Sequence, residues 1–432
     1  MATVMLDHVS KVYGGVPAVD DIRLRAGDGE LLVLLGPSGS GKTTVLRIIA
    51  GLEEPTSGHV WLGGQIATTL PPHERNVAMI FQDGALYPHC SVRDNLAFPL
   101  RIAGVEKAAV DGRVLELARG LGLAGMLERR PGSLSGGERQ RVALGRALIR
   151  GEPQVLLMDE PLASLDTGLR SELRAEIAAL VRSLALTTVY VTHDQAEALS
   201  MADRLAVMRD GRLEDVGAPA AVYQSPATAF VAAFLSSPPI SLAWADVRVE
   251  TGEQVVVDFG SQQIGLEWTH PRAETLAMYH QDSVIVGIRP EALTPSRPGA
   301  AGPVLRGKVS SVEYQGHEWL ARIEVGFRPV DLDLVSPGPG PTVPSPVRRP
   351  ASRRSEAQVP PAGAGPRGEH RSALLSLRLS SSSGWITGQE TWVNVDMRRA
   401  HFFDSSGSRI SETPRRPAGR QLPIALLGDG PG

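Results

Sequence analysis

Five consecutive apolar residues, Leu31–Leu35, run straight into the glycine-rich segment GPSGSGKTT at 36–44. Lys42 and Thr43 then open a helical pattern carried by Val45, Leu46, Ile48 and Ile49. Strand, loop and helix in this order point loop amides and a helix N-terminus at one place, an arrangement that holds a phosphate chain. Gly36, Gly39 and Gly41 let those amides converge without Cβ clashes. The run Gly36, Pro37, Ser38, Gly39, Ser40, Gly41, Lys42, Thr43 and Thr44 is the candidate nucleotide-binding segment. A helix dipole contributes about 0.3–1 kcal/mol, whereas micromolar to millimolar affinity needs about 4–8 kcal/mol. Lys42 must therefore neutralise phosphate charge, and the Thr43 hydroxyl is placed to hold Mg²⁺.

Further residues fit the same chemistry. A second apolar run, Val155–Met158, ends in Asp159–Glu160–Pro161. Adjacent carboxylates at the C-terminal end of a core strand face the ligand crevice of a parallel sheet. Asp159 suits the metal shell, and Glu160 suits orientation and activation of a water. Gln82 and His193 follow the strand-like runs Val77–Phe81 and Thr188–Thr192 in the same manner. Gln82 can sense the metal or the attacking water, and His193 can reach a γ-phosphate. Tyr13, before the loop, can stack on a base. Ser135–Gly136–Gly137 opens a second helix, read over Glu138–Ile149, where Ser135 can act as N-cap and the free amides can bind an anion. An ordinary capped helix gives the same short pattern.

Alternating strand-length apolar runs and helices make residues 1–235 an α/β domain with a mainly parallel sheet. The short alternating stretches Thr3–Leu6 and Asp21–Arg25 suggest an antiparallel piece beside it. After Pro238–Pro239, short strands such as Gln254–Phe259, Ser283–Ile288 and Lys308–Glu313 suggest a small β-barrel or sandwich. Residues 329–372 hold 10 of the 33 prolines with no apolar periodicity, a composition expected to be disordered. Strand patterns return at Glu390–Val395 and His401–Phe403, so the second domain is read as 236–328 plus 373–404. The polar tail 405–432 is also expected to be disordered. A net charge of −3 leaves no overall basic footprint for nucleic acid. A single cysteine, Cys90, excludes an intrachain disulfide framework. No apolar run has the length of a membrane span, and the first residues lack the apolar core of a signal peptide.

GPSGSGKTT, Phe81–Gln82, LSGGERQ (134–140), LLMDEP (156–161), SLD (164–166) and Thr192–His193 come in the order and spacing that resemble an ABC-transporter ATPase subunit. The resemblance covers 3–235. It implies a P-loop NTPase fold, with a RecA-like core carrying antiparallel β and helical subdomains, followed by a β-rich OB-type regulatory domain. It further implies Tyr13 as adenine-stacking residue, Gln82 as Q-loop glutamine, Asp166 as D-loop aspartate and His193 as switch histidine. ATP and Mg²⁺ are the implied ligands. The LSGGE helix would complete the nucleotide site of a second copy, giving a two-fold homodimer around two ATP. The remaining implied partners are transmembrane permease subunits and an extracytoplasmic solute-binding protein, with peripheral attachment at the cytoplasmic face of the membrane. Residues 85–96 resemble the surface that receives a permease coupling helix, although Asp83–Gly84 stands where relatives often have Ser-Tyr.

Residues 191–235, VGIRPEAL (286–293) and WVNVDMRRAHFFD (392–404) resemble the carbohydrate-importer branch. Polyamine, iron and anion importers carry related C-terminal domains, so those substrates remain alternatives. Nucleic-acid or ribosome ABC ATPases usually carry two cassettes or a long coiled coil, and this chain has neither. A mainly regulatory protein is a further alternative. The span 329–372 departs from the family as a tolerated surface loop, a frame error in a GC-rich gene, or a basic regulatory arm.

Overall fold

Packing divides the chain into Met1–Gln224 and Ser225–Gly432. The computed structural model describes residues 3–82, 84–150, 155–163, 167–250, 254–333, 335, 373–382 and 384–411.

In the first unit, β1 (Val4–Tyr13) and β2 (Val16–Ala26) flank a turn at Gly14–Gly15. Both extend beyond the stretches expected at 3–6 and 21–25, because register shifts keep the ladder paired where the alternation lapses. The central strand β3 (Leu31–Leu35) leads to α1 (Lys42–Ala50), and β4 (Ser57–Leu62) and β5 (Gln65–Ile66) return to the first pair. These build an antiparallel sheet of order β2-β1-β4-β5. Next come β6 (Val77–Ile80) and the helices α2 (Val92–Ile102), α3 (Lys107–Gly120) and α4 (Gly136–Leu148). The unit closes with β7 (Val155–Asp159), α5 (Thr167–Ser183), β8 (Thr187–Thr192), α6 (Gln195–Met201), β9 (Arg204–Arg209), β10 (Arg212–Gly217) and α7 (Pro219–Gln224).

The second sheet has the order β10-β9-β3-β8-β7-β6. All its neighbours are parallel except β10 on β9. Every residue of β3 and β7 is buried. Strands covered on both faces need no alternation, which is why these two read as apolar runs. Val45 and Ile49 of α1 pack with Val155, Leu157, Val189 and Val191 in one core. Within α2, the fully buried Asn95 shapes the loop that precedes the helix. Its side chain accepts from the Tyr87 amide at 2.8 Å and donates to the carbonyls of Tyr87, Cys90 and Ser91.

The second unit begins with α8 (Ala229–Phe234), whose Ala229 and Ala232 pack with Ile240, Leu242, Ile285 and Phe403. It continues through β11 (Ser241–Glu250), β12 (Gln254–Asp258), β13 (Gln263–Glu267), α9 (Ala273–Ala277), β14 (Ser283–Ile288) and β15 (Leu293–Ser296). The rest is β16 (Val304–Tyr314), β17 (Trp319–Glu324), β18 (Arg328–Pro329), β19 (Leu374–Leu379), β20 (Glu390–Val395) and β21 (His401–Phe403). One sheet runs β13-β12-β11-β14-β21 with β18 on β11, and the other runs β15-β20-β16-β17-β19. Their shared core includes Val247, Val257, Leu377, Val393 and the stacked rings of Phe259 and Phe327, 4.0 Å apart.

Two sequence boundaries need correction. The expected disorder at 329–372 starts too early: Pro329 pairs with Ala243, and Val330, Leu332 and Val335 pack around the buried Phe403. The burial of Val335 and the partial burial of Val330 and Leu332 favour this packing despite the surrounding Pro and Gly content. Residues 334 and 336–372 lie outside the described residues. The expected disordered tail also starts too early. The Asp404 carboxylate accepts from the Ser406 amide and hydroxyl and from the Ser408 amide, folding the polar stretch into a turn. Gly407 O then accepts from the Ala229 amide, and the Arg409 amide donates to Ala227 O. Residues 412–432 lie outside the described residues. Among the described residues, no helix is long and apolar enough to cross a membrane.

Candidate nucleotide site

Strand order places the candidate residues on one edge. β3, β8, β7 and β6 are consecutive parallel neighbours, with Leu35 opposite Thr192, Asp159 opposite Val191 and Ile80 opposite Met158. The 36–44 loop, His193, Asp159–Glu160 and Gln82 thus leave the sheet at the carboxyl ends of its strands, where open parallel sheets bind ligands.

The loop requires its glycines. Gly41 adopts φ 98°, and a Cβ there would run into the Ala18 carbonyl; a Cβ on Gly36 would run into that of Met208. Lys42 is 5% exposed, and its ammonium donates to the carbonyls of Gly36 and Pro37 at 2.9 Å each. Burial pushes its pKa down, opposed by the charges of Glu160 and Asp159. The Ser40 hydroxyl is buried with no hydrogen-bond partner, while Ser38, Gly39 and Thr43 face solvent and Thr44 is half-buried. An ammonium folded onto its own loop and an orphaned hydroxyl are groups that phosphate oxygens would satisfy.

Thr43 Oγ1 donates to Asp159 Oδ1 at 2.9 Å. Burial raises the Asp159 carboxyl above the usual range, and the Thr43 bond opposes that shift. Hydroxyl and carboxylate side by side are donors suited to Mg²⁺, which usually completes its shell with phosphate and water. Among the described residues, no group of three or more His, Cys, Asp or Glu is placed to hold an ion.

Glu160 holds φ 44°, a left-handed conformation rare for a side-chain-bearing residue. Such strain costs on the order of 1–3 kcal/mol and persists only where surrounding structure enforces it. Here its amide donates to Val191 O at 3.0 Å. Its Oε2 lies 2.9 Å from His193 Nδ1, with the two side chains 18% and 50% exposed respectively. A water between an anchored carboxylate and a bound phosphate chain would be oriented and polarised there.

The remaining sequence candidates are more dispersed. Tyr13, 45% exposed at the tip of β1, has the Lys11 ammonium 5.0 Å from its ring centre, and Lys11 pairs with Glu53 at 2.7 Å. The side chain of Gln82 is exposed. Asp166 lies outside the described residues, as does Asp83. Ser135 caps α4, which starts at Gly136, earlier than the Glu138 expected. Its hydroxyl accepts from the Glu138 amide at 3.3 Å and its amide donates to the Glu138 carboxylate at 2.7 Å, a complete capping box. Ser135 is exposed, Gly136 half-buried and Gly137 buried, and α4 packs against α2 and β6.

Two groups were not singled out from sequence. Arg146 of α4 donates to Gly84 O and Ala85 O and lies over the Tyr87 ring, tying α4 to the segment after Gln82. A groove of about 760 Å³ opens beside it, lined by Tyr87, Phe98, Pro99, Ile102 and Arg150. The second group, Arg170, Thr192, Asp194 and Glu197, is joined by hydrogen bonds through the two chain neighbours of His193. Asp194 followed at the third position by Glu197 has the form of a capping-box signature, the one signal that could have drawn attention to it.

Residues 19–163 match the family described as ABC transporter, and residues 286–343 match the TOBE domain. The chain is 47% identical over 340 residues to the trehalose/maltose import ATP-binding protein MalK of Thermococcus litoralis, covering 76% of this chain and 89% of that protein. It is 43% identical over 340 residues to the sn-glycerol-3-phosphate import ATP-binding protein UgpC 3 of Rhizobium johnstonii, covering 78% and 91% respectively. It is 45% identical over 348 residues to the diacetylchitobiose uptake system ATP-binding protein MsiK of Streptomyces coelicolor, covering 77% and 90%. A solved dimeric ATP-binding cassette in a post-hydrolysis state with ADP and Pi is 30% identical, covering 50% of this chain and 98% of its own, with a TM-score of 0.46.

Proposed function

The chain belongs to the ABC-transporter ATP-binding subunits that carry a C-terminal TOBE domain, and from that premise we propose that it powers uptake of a sugar or sugar derivative through partner permeases. The observation that carries the site is the convergence of the 36–44 loop, Asp159–Glu160 and His193 on one sheet edge. The solute class rests on the relatives, whose names specify trehalose or maltose, sn-glycerol-3-phosphate and diacetylchitobiose.

In this reading the loop amides of 36–44 and Lys42 bind the triphosphate of ATP, with the ammonium exchanging its own loop carbonyls for phosphate oxygens. Tyr13 stacks on adenine. Thr43 and Asp159, with Gln82 nearby on the same edge, hold Mg²⁺, which when bound supplies neutralisation of phosphate charge. Glu160 orients and activates the attacking water, and His193 positions Glu160 and contacts the γ-phosphate. Ser135–Gly137 of one copy closes over the nucleotide of a second copy, with Asp166 at the junction, so the active form is a two-fold homodimer. Tighter ATP binding to the closed pair than to the open pair drives the movement. The Tyr87–Phe98 groove receives a permease segment, which attaches the protein peripherally to the cytoplasmic face of the membrane. An extracytoplasmic solute-binding protein delivers the solute.

Reconstitution in proteoliposomes with the permeases and binding protein that copurify with this chain tests the reading. ATP-dependent accumulation of labelled maltose, glycerol phosphate or chitobiose is expected. Accumulation of a polyamine, iron or an inorganic anion instead, or copurification with no permease, would overturn it.

A further inference from the structure

The segment TTVYVTHDQAEA, 187–198, holds a buried carboxylate that the hydrolytic reading does not use. Glu197 is 3% exposed and sits at the third position of α6, where a glutamate usually turns back to accept from the N-cap amide. In α4 the equivalent Glu138 does so. In α6 it does not. The Asp194 amide donates instead to Thr192 Oγ1 at 3.0 Å. Thr192 Oγ1 in turn donates to Glu197 Oε2 at 2.8 Å, and the Tyr190 hydroxyl donates to the same oxygen at 2.9 Å.

His193 lies between these partners in sequence. The residue before it is fixed by Glu197, and the residue after it is fixed by Thr192. Asp194 is held further by its carboxylate, which accepts from the amides of Ala196 and Glu197 and pairs with Arg170 of α5 at 3.2 Å. The histidine ring itself is half exposed, so packing alone does not set its direction. Its direction is set by the Glu160 contact at 2.9 Å together with the backbone from which the ring projects.

We propose that Glu197 is a positioning residue for His193: through Thr192 and Tyr190 it sets the strand end from which the imidazole meets Glu160, and the Arg170–Asp194 pair ties that setting to α5. The proposal rests on the reading of His193 as a hydrolytic residue. Both hydroxyls donate to one oxygen, so the geometry requires one acceptor rather than a full carboxylate. A glutamine supplies that acceptor, and an alanine does not.

A double-mutant cycle on ATP hydrolysis by the full chain tests this. Glu197→Ala and Thr192→Val are each expected to lower kcat about tenfold or more, leaving KM for ATP within about twofold, since an interaction needed only in the transition state affects kcat. Glu197→Gln is expected to keep kcat within about threefold of wild type. In a His193→Ala background, Glu197→Ala is expected to cost no further activity. A further tenfold loss in that background would overturn the proposal, because Glu197 would then act independently of His193. Equal losses in Glu197→Gln and Glu197→Ala would overturn it too. If Glu197→Ala does not fold, Thr192→Val, which preserves side-chain shape, carries the same cycle. A His193→Ala protein that hydrolyses ATP at the wild-type rate would instead defeat the underlying reading of His193.

Discussion

His193 Nδ1 lies 2.9 Å from Glu160 Oε2, bridging the ends of two adjacent parallel strands, β8 and β7. The contact anchors a carboxylate whose backbone is held in a left-handed conformation. An anchored and strained acid at a strand end is suited to hold one water in one direction.

Glu160→Gln therefore retains the anchor but loses the base. Hydrolysis should fall by about 10²–10⁴-fold, the usual contribution of general-base catalysis, with ATP affinity unchanged within about threefold, well under the tenfold that 1.4 kcal/mol represents. Single-turnover hydrolysis and equilibrium nucleotide binding read the two quantities separately. A variant that hydrolyses at the wild-type rate would remove Glu160 from the mechanism.

Lys42→Ala removes a buried ammonium whose present partners are two loop carbonyls. ATP binding should weaken by at least about a hundredfold, since charge-assisted bonds to phosphate contribute most of the binding that a helix dipole cannot. Fluorescent-nucleotide titration measures this, and unchanged affinity would contradict the loop assignment.

The loop and the acidic pair were legible in sequence because both sit directly after fully buried strands, whose apolar runs are unmistakable. Their meeting at one edge was expected from the strand-end rule and from the family resemblance, whereas the strand order that places β7 between β6 and β8 is not given by spacing alone. Glu197 was hidden for another reason. Its position fits a capping box, and only the tertiary position of Tyr190 and Thr192 diverts the carboxylate. The end of the second domain was misjudged because a Ser- and Gly-rich stretch reads as a tail, whereas Asp404 gathers it into a turn. Residues 329–333 and Val335 were hidden by the proline-rich sequence that follows them.

The groove beside Arg146 should matter only when a permease is present. Tyr87→Ala with Phe98→Ala removes two rings 4.6 Å apart that line it. Basal ATPase should stay within about twofold, because the two rings pack on each other, and Tyr87 on Arg146, in the groove, while permease-stimulated ATPase should fall about tenfold or more, as losing central aromatic anchors typically does. Equal stimulation in wild type and variant would exclude this groove as the docking surface.

The second unit carries a pH dependence of its own. His401 is buried, 8% exposed, and its pKa falls to about 3 through desolvation and the nearby charges of Arg289, Arg272 and Arg409. Between that value and the ordinary histidine pKa of about 6.5, the unfolded chain binds the proton that the folded unit excludes. Stability should thus be fully present above pH 6.5 and fall with acidification at up to about 1.4 kcal/mol per pH unit. Thermal unfolding followed across pH 4–7 should show a shallower slope in His401→Phe. An unaltered slope would mean that other groups carry the acid sensitivity.

The central claim is that two copies share each nucleotide, the loop from one and Ser135–Gly137 from the other. Ser38 and Ser135 are both exposed and can be replaced by cysteine in separate Glu160→Gln, Cys90→Ser chains. Treating the mixture with a short bis-maleimide should yield Ser38→Cys to Ser135→Cys cross-linked pairs with ATP and Mg²⁺, and few with ADP. Cross-linking that is absent with ATP, or equal with ATP and ADP, would contradict the shared site.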